Sequence, residues 1–247
     1  MQLESGYSTH RGQVRKTNQD SVGVFQPRWR LFRQHDLPLF IVADGMGGHQ
    51  GGEVASRVAL ETVRRAFRAA SRTAPPNQAL RTSIQAANEA VVNKADNSPA
   101  LSGMGTTIVA ATISDGRLYV GNVGDSRAYL IRDHAIRRIT NDHSFVEEQV
   151  RAGVLTEDQA VGAVGRNILT RAIGRRGGIP VDIFEESWLP GDRLVLCSDG
   201  LWGVVSPDEI MAIALEQPPQ EAAKQLVDAA IANHSTDNIS IVIVRCV

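Results

Sequence analysis

Apolar and polar positions change period several times along the chain, and the changes mark out its elements. Leu3 to Thr9 and Asp20 to Gln26 read as short strands on either side of a polar connection, Arg11 to Gln19. The apolar run Leu39 to Ala43 reads as a buried strand that stops abruptly at Asp44-Gly45. From Gly51 to Ala70 the period becomes helical. Ala55, Ala59, Val63, Ala66, Phe67 and Ala70 share one face, and Arg57, Glu61, Arg64 and Arg68 the other. Pro75-Pro76 breaks the pattern, and Asn77 reads as the cap of a second helix with Leu80, Ile84, Ala87 and Val91 in a stripe. Thr106–Ile113, Arg117–Val123, Arg127–Arg132 and Ala135–Thr140 are β-rich runs joined by short turns such as Asp115-Gly116 and Asp133-His134, which predicts an antiparallel meander. A polar, partly helical stretch from Asp142 to Arg166 interrupts the β pattern and is expected to be a surface excursion that can move. Val181–Trp188 and Arg193–Ser198 return to strand. Two helices follow, the first opened by Ser206-Pro207-Asp208-Glu209, and Ile239–Cys246 is the last strand.

Strand runs with helices grouped between them predict an α+β fold of layered antiparallel sheets. A doubly wound parallel sheet is disfavoured. Gly45-Met46-Gly47-Gly48 does not fit the dinucleotide fingerprint, and the phosphate-loop Lys-Ser/Thr signature is absent. No repeat, low-complexity tract or linker divides the 247 residues, so a single domain over 1–247 is expected. Hydrophobic content of 43%, charged content of 21% and a net charge of −1 give no argument for nucleic acid or a membrane surface. No apolar stretch approaches the ~20 residues that span a bilayer, and Met1 to Ser5 carries no secretion signal, so a cytoplasmic monomer is expected. Cys197 and Cys246 lie in apolar runs and resemble buried thiols. The arginines interleaved with aromatics from Arg28 to Arg33 suit a half-exposed hairpin better than a docking patch.

The candidate chemistry lies in aspartates. Asp20, Asp44, Asp199 and Asp237 each stand at a strand end, and Asp125 in Val123-Gly124-Asp125-Ser126-Arg127 is a fifth. Asp44 opens a turn with five glycines among the nine residues Asp44 to Gly52, which allows close approach of backbone to a charged ligand. Singly, each aspartate reads as an ordinary turn residue, with Asp125 pairing to Arg127. Brought together, they would repel one another and need cations. Carboxylates without His or Cys select magnesium or manganese over zinc. Two such ions would lower the pKa of a water between them, a nucleophile suited to phosphate esters, and Arg15 would clamp the phosphate.

Arg15-x-x-Asn18-Gln19-Asp20, Val42 to His49, Met104-Gly105-Thr106-Thr107, Val123 to Arg127, Cys197 to Leu201 and Asp237-Asn238-Ile239-Ser240 occur in this order. Together the chain resembles the metal-dependent (type 2C) serine/threonine protein phosphatases, in their compact bacterial branch. The resemblance implies two antiparallel β-sheets packed as a sandwich with helices on both outer faces. It implies two manganese or magnesium ions, with Asp44 shared between them and the Gly45 carbonyl completing one shell. Asp199 and Asp237 would hold the first ion, and Asp20 would serve the second through water. Asp125 would join Asp199 around a third, weaker ion. Residues 142–166 match the family's flap.

The chain departs from the family at three places. Gln19 replaces a common glutamate, the flap reads Ala163-Val164-Gly165 where a His-Pro pair is frequent, and Met46 stands where animal members place a proposed acid. His49 is the nearest titratable candidate in sequence to replace that acid; the alternative is that it only shapes the turn and water donates the proton. The implied substrates are phosphorylated proteins, and the implied partner is a cognate bacterial Ser/Thr kinase. Two rivals stay open: an inactive phosphoprotein-binding scaffold, and a two-metal hydrolase of small phosphate esters.

Overall fold

The computed structural model describes residues 2–26, 36–47, 51–156, 159–160, 163, 165 and 168–247. The expected arginine–aromatic hairpin and His49 lie outside them.

One sheet runs in the order β1 (Leu3–His10), β12 (Ile239–Cys246), β11 (Arg193–Cys197), β8 (Arg127–Arg132), β9 (Ala135–Arg138). The other runs β10 (Asp182–Ser187), β7 (Arg117–Val123), β6 (Ile108–Ser114), β3 (Leu39–Ala43), β2 (Ser21–Phe25). Every pairing in both is antiparallel. A two-stranded ribbon, β4 (Gly45–Met46) with β5 (Gly105–Thr106), stands at their shared end. Among the described residues the main α-helices are α1 (Gly51–Ala70), α2 (Pro76–Asp96), α3 (Phe145–Arg151), α4 (Asp199–Trp202), α5 (Pro207–Glu216) and α6 (Pro219–Ala232).

Side chains alternate across a strand, so a strand covered on both faces must be apolar throughout. That is why Leu39–Ala43 reads as an unbroken run. Phe40 and Val42 pack between the sheets with Leu194, Leu196, Val242 and Val244. Leu39, Ile41 and Ala43 point the other way, onto Ala59, Val63, Phe67 and Ile84 of α1 and α2. The outer face of the first sheet, with Val195, Ile241 and Ile243, is covered by Ile210 and Ala214 of α5 and Leu226 and Ala230 of α6. Helix, sheet, sheet, helix is the resulting stack, as expected. Cys197 and Cys246 are free and buried. Among the described residues no helix is long and apolar enough to cross a membrane.

Two local expectations are corrected. The four β-rich runs do not form one meander: β6–β7 is a hairpin in one sheet and β8–β9 a hairpin in the other. Hydrophobic alternation fixes a strand's faces but not its sheet, and Gly124-Asp125-Ser126 turns out to be the crossing between sheets. Their turns do behave as read. Asp115 and Gly116 have φ of +50° and +70°, and Asp133 and His134 +50° and +59°, the positive values a two-residue hairpin requires.

The second correction is that α2 starts before Asn77. Pro76 takes the first helical position, where its missing N–H is harmless, and extended Pro75 precedes it as the N-cap. The Asn77 side chain instead donates to Glu185, 2.7 Å away. Ser206 caps α5 as expected, accepting from the Glu209 N–H at 3.2 Å. The consequence for function lies in direction: β2 begins, β3 ends, β7 crosses to β8, β11 ends and β12 begins at one edge of the sandwich.

Candidate active site

Asp44 follows β3 and is gripped by its backbone. Its N–H donates to Thr107 Oγ1 at 3.0 Å, and its carbonyl accepts from the Thr107 N–H and Thr106 Oγ1, both at 2.8 Å. Thr107 Oγ1, which accepts from the Asp44 N–H, also shares a hydrogen bond with Ser126 Oγ at 2.7 Å, beside Asp125. One threonine therefore ties the end of β3 to the crossing between sheets. Gly45 is required by contact: a Cβ there would stand 2.1 Å from the Gly52 carbonyl and 2.4 Å from that of Gln19. Only a bare backbone lets the start of α1 come this close.

Asp20 precedes β2. Its Oδ2 accepts from Ser198 Oγ at 2.9 Å, while its Oδ1 is buried with no hydrogen-bond partner. Asp199 opens α4, and its Oδ1 is likewise buried and unpartnered. Asp237 lies just before β12 and has both oxygens engaged, one by Arg15 at 2.5 Å and one by the Asn238 N–H at 2.8 Å. Asn238 stitches the Arg15 loop to β12, accepting from the Gln19 N–H and donating to the Arg11 and Thr17 carbonyls.

A cleft of about 500 Å³ collects Arg15, Asp44, Gly45, Asp125, Asp199 and Asp237 along its walls, with Met46 and Arg175. Asp20 is buried against Ser198, with its charge felt by Asp44. With Asp237 turned onto Arg15, no three Asp, Glu, His or Cys side chains among the described residues close around a common point as a ready metal cage. The donors are nevertheless the right kind: all are carboxylate oxygens, two of them buried without a proton donor, which suits a hard oxygen-seeking cation.

Electrostatics agree. Burial, followed by the charges of Asp199 and Asp237, pushes Asp20 up to about 7 against the hydrogen bonds of Ser240 and Ser198. Burial and then Asp199 and Asp142 push Asp125 up to about 7. Asp44 is raised by burial and by Asp20, Asp199, Asp125 and Asp237. Asp199 is raised by burial and then by Asp237. Each carboxylate resists ionising first because it is buried and then because its neighbours have the same sign. Arg15 is held more firmly protonated by its bond to Asp237.

The turn reading of Asp125 fails in one respect. Arg127 pairs with Asp142, Nη2 to Oδ2 at 2.7 Å and Nε at 3.1 Å, and its guanidinium lies 3.5 Å from the centre of the Trp202 ring. Trp202 in turn donates to the Asp125 carbonyl at 3.0 Å. The sequence reading missed His143, which is wholly buried. Its backbone N–H donates to the Gly124 carbonyl at 3.0 Å, and its Nδ1 accepts from the Gly124 N–H at 3.1 Å. Its other nitrogen therefore carries the proton and donates to Asp182 at 3.0 Å, beside Arg171. The sequence signal was slight: a histidine between Asp142 and the Ser144 that caps α3.

Residues 6–239 match the Protein phosphatase 2C family, and the chain belongs to it. It is thus a protein phosphatase by class. The serine/threonine phosphatase stp of Listeria monocytogenes serovar 1/2a is 36% identical over 98% of this chain and 96% of that protein. The crystal structure of the Mycobacterium tuberculosis serine/threonine phosphatase PstP/Ppp matches with a TM-score of 0.87 and 31% identity, covering 99% of this chain and 98% of that one. The catalytic domain of serine/threonine protein phosphatase PstP in complex with two manganese ions matches at 0.83 and 30%, covering 98% and 97%.

Two expectations follow from this geometry. Asp20 and Asp125 bind protons in the fold up to about pH 7, against about 3.8 as the ordinary value. Their stabilising contribution is fully present below that lower value and is lost as pH rises through 7. His143, lowered by burial, acts oppositely, withdrawing stability as pH falls below 6.5. In the metal-free protein, Asp20→Asn should therefore flatten the loss of stability between about pH 4 and 7, by on the order of a few kcal/mol. Urea unfolding across that range measures it; parallel curves for the two proteins would remove the coupling.

His143→Ala should lower stability by roughly 2–4 kcal/mol, by leaving the Gly124 N–H and Asp182 without their buried partner. His143→Asn, with an amide oxygen near the Nδ1 position, should recover part of that. Equal unfolding midpoints for wild type and His143→Ala would show the network idle.

Proposed function

We propose that the protein hydrolyses phosphoserine and phosphothreonine in proteins by a metal-dependent route, opposing a bacterial Ser/Thr kinase. The carrying observation is the meeting of Asp20, Asp44, Asp125, Asp199 and Asp237 with Arg15 at one sheet edge, with buried oxygens of Asp20 and Asp199 unpartnered. The whole chain would act as one phosphatase domain, with residues 142–166 as its flap. The manganese-bound relative and the names of the others support the substrate and the ion.

Asp44 would be shared by two manganese or magnesium ions, with the Gly45 carbonyl beside it. Asp199 and Asp237 would serve the first ion, Asp20 the second through water, and Asp125 with Asp199 a weaker third. Bound there, the ions supply a water of lowered pKa and offset the charge of the phosphate. The protein's own part is orientation. The threonine grip fixes the backbone from which the Asp44 carboxylate projects, and Asn238 sets the loop that carries Arg15. Arg15 is about half exposed at the cleft and spends one nitrogen on Asp237, which leaves donors of its planar fork for phosphate oxygens. Met46 lines the cleft and has no proton to give, so His49 is the proposed donor to the departing oxygen.

Asp199→Asn keeps side-chain volume and removes a charged ligand. Turnover of a phosphothreonine peptide in manganese should fall by more than about 100-fold, beyond the loss typical of a mere supporting hydrogen bond, while the thermal transition of the metal-free protein persists. Activity within a few fold of wild type would sink the assignment of Asp199.

His49→Ala should slow the peptide by roughly 10²–10⁴-fold and largely spare p-nitrophenyl phosphate, whose leaving group needs little protonation. Equal losses on both substrates would reassign His49 to shaping the turn.

A further inference from the structure

Arg175 lines the same cleft as the aspartates but differs from the other arginines around it. Arg15, Arg171 and Arg176 are each held by a carboxylate, of Asp237, Asp182 and Asp96 respectively. The Arg175 side chain is exposed, and its one bond among the described residues is a donation to the Leu169 carbonyl at 3.2 Å. Its root, by contrast, is fixed. Buried Asn88 of α2 accepts from the Gly174 and Arg175 N–H groups at 2.8 and 3.1 Å and donates to the Arg175 carbonyl at 2.9 Å. A buried side-chain amide thus holds this short stretch of backbone by three hydrogen bonds. A fixed root with an unneutralised guanidinium at its end presents a cation to the cleft at small entropic loss on binding.

We propose that Arg175 reads an anionic group next to the phosphoresidue, so that the preferred substrates are phosphorylated segments flanked by acidic side chains or by a second phosphate. The proposal rests on the phosphatase reading and narrows its substrate class. The chemistry follows from the charge of the cleft. The aspartates repel an acidic flank, and Arg15, beside Asp237, is committed to the phosphate under attack. A planar guanidinium takes carboxylate or phosphate oxygens in pairs, so Arg175 is suited to offset that repulsion. Arg15, four of the aspartates and Arg175 line one cleft of about 500 Å³, so the group that meets Arg175 lies near the phosphoresidue in the same peptide.

The test is a panel of phosphothreonine peptides assayed in manganese: one with glutamate flanks, one with glutamine flanks, one with lysine flanks and one with a second phosphothreonine. Arg175→Ala should lower the kcat/KM ratio of glutamate-flanked to glutamine-flanked peptide by about 10-fold, the scale of one hydrogen bond to a charged group. That change should appear in KM, because the contact is made before and during the reaction alike. Arg175→Glu should reverse the preference toward lysine flanks. If only the doubly phosphorylated peptide responds, the second phosphate is the group that Arg175 reads. Ratios unchanged in both variants, across all flanks, overturn the proposal. Wild-type protein that hydrolyses p-nitrophenyl phosphate but no peptide would instead overturn the protein-substrate reading on which the proposal rests.

Discussion

Like charges crowded at the joint of two sheets are the constraint to which the rest of the molecule answers. Burial removes the water that would screen these carboxylates, and Asp20, Asp199 and Asp125 then each raise the pKa of Asp44. Such a cluster opposes folding. The chain tolerates it because apolar packing elsewhere is extensive, with three layers of buried side chains above, between and below the sheets. It also confines the repulsion to one edge, where strands stop and the backbone can be held by side-chain hydrogen bonds in place of a ladder.

Those bonds come from neutral residues. Thr106 and Thr107 hold Asp44, Asn238 holds the loop from Arg11 to Gln19, and His143 holds Gly124 beside Asp125. A charged clamp would have altered the field at the carboxylates; a hydroxyl, an amide or a neutral imidazole fixes position without adding net charge. Thr107 is placed to act at two points, since its hydroxyl accepts from the Asp44 N–H and shares a hydrogen bond with the Ser126 hydroxyl. The two sheets thus share a mechanical connection at the site as well as a common core.

What could be read from the sequence followed the physics that is local. Leu39–Ala43 announced a strand buried on both faces, the stripes of α1 and α2 announced helices packed on one side, and aspartates at strand ends beside glycine or asparagine announced the carboxylate cluster. Sheet membership could not be read. β7 and β8 are neighbours in sequence with matching patterns, and only the turn at Gly124, which exchanges two hydrogen bonds with His143, sends them to different sheets. His143 and Asn88 escaped for a related reason. Each acts on backbone far away in sequence, and a buried polar residue that serves a distant turn leaves no periodic trace. Asn77 was misread because two capping preferences competed, and proline at the first helical position prevailed.

The two cysteines give the sandwich a chemical temperament. Cys197 ends β11 immediately below Ser198 and Asp199, and burial pushes its thiol up to about 12; burial also raises that of Cys246. The thiolate is the form that peroxides attack. Near neutral pH neither sulfur offers it, although Cys197 lies two residues from Asp199 in the carboxylate cluster. The hydrolysis proposed for the cleft places no demand on sulfur, and burial holds both thiols in the protonated form that oxidants attack least readily.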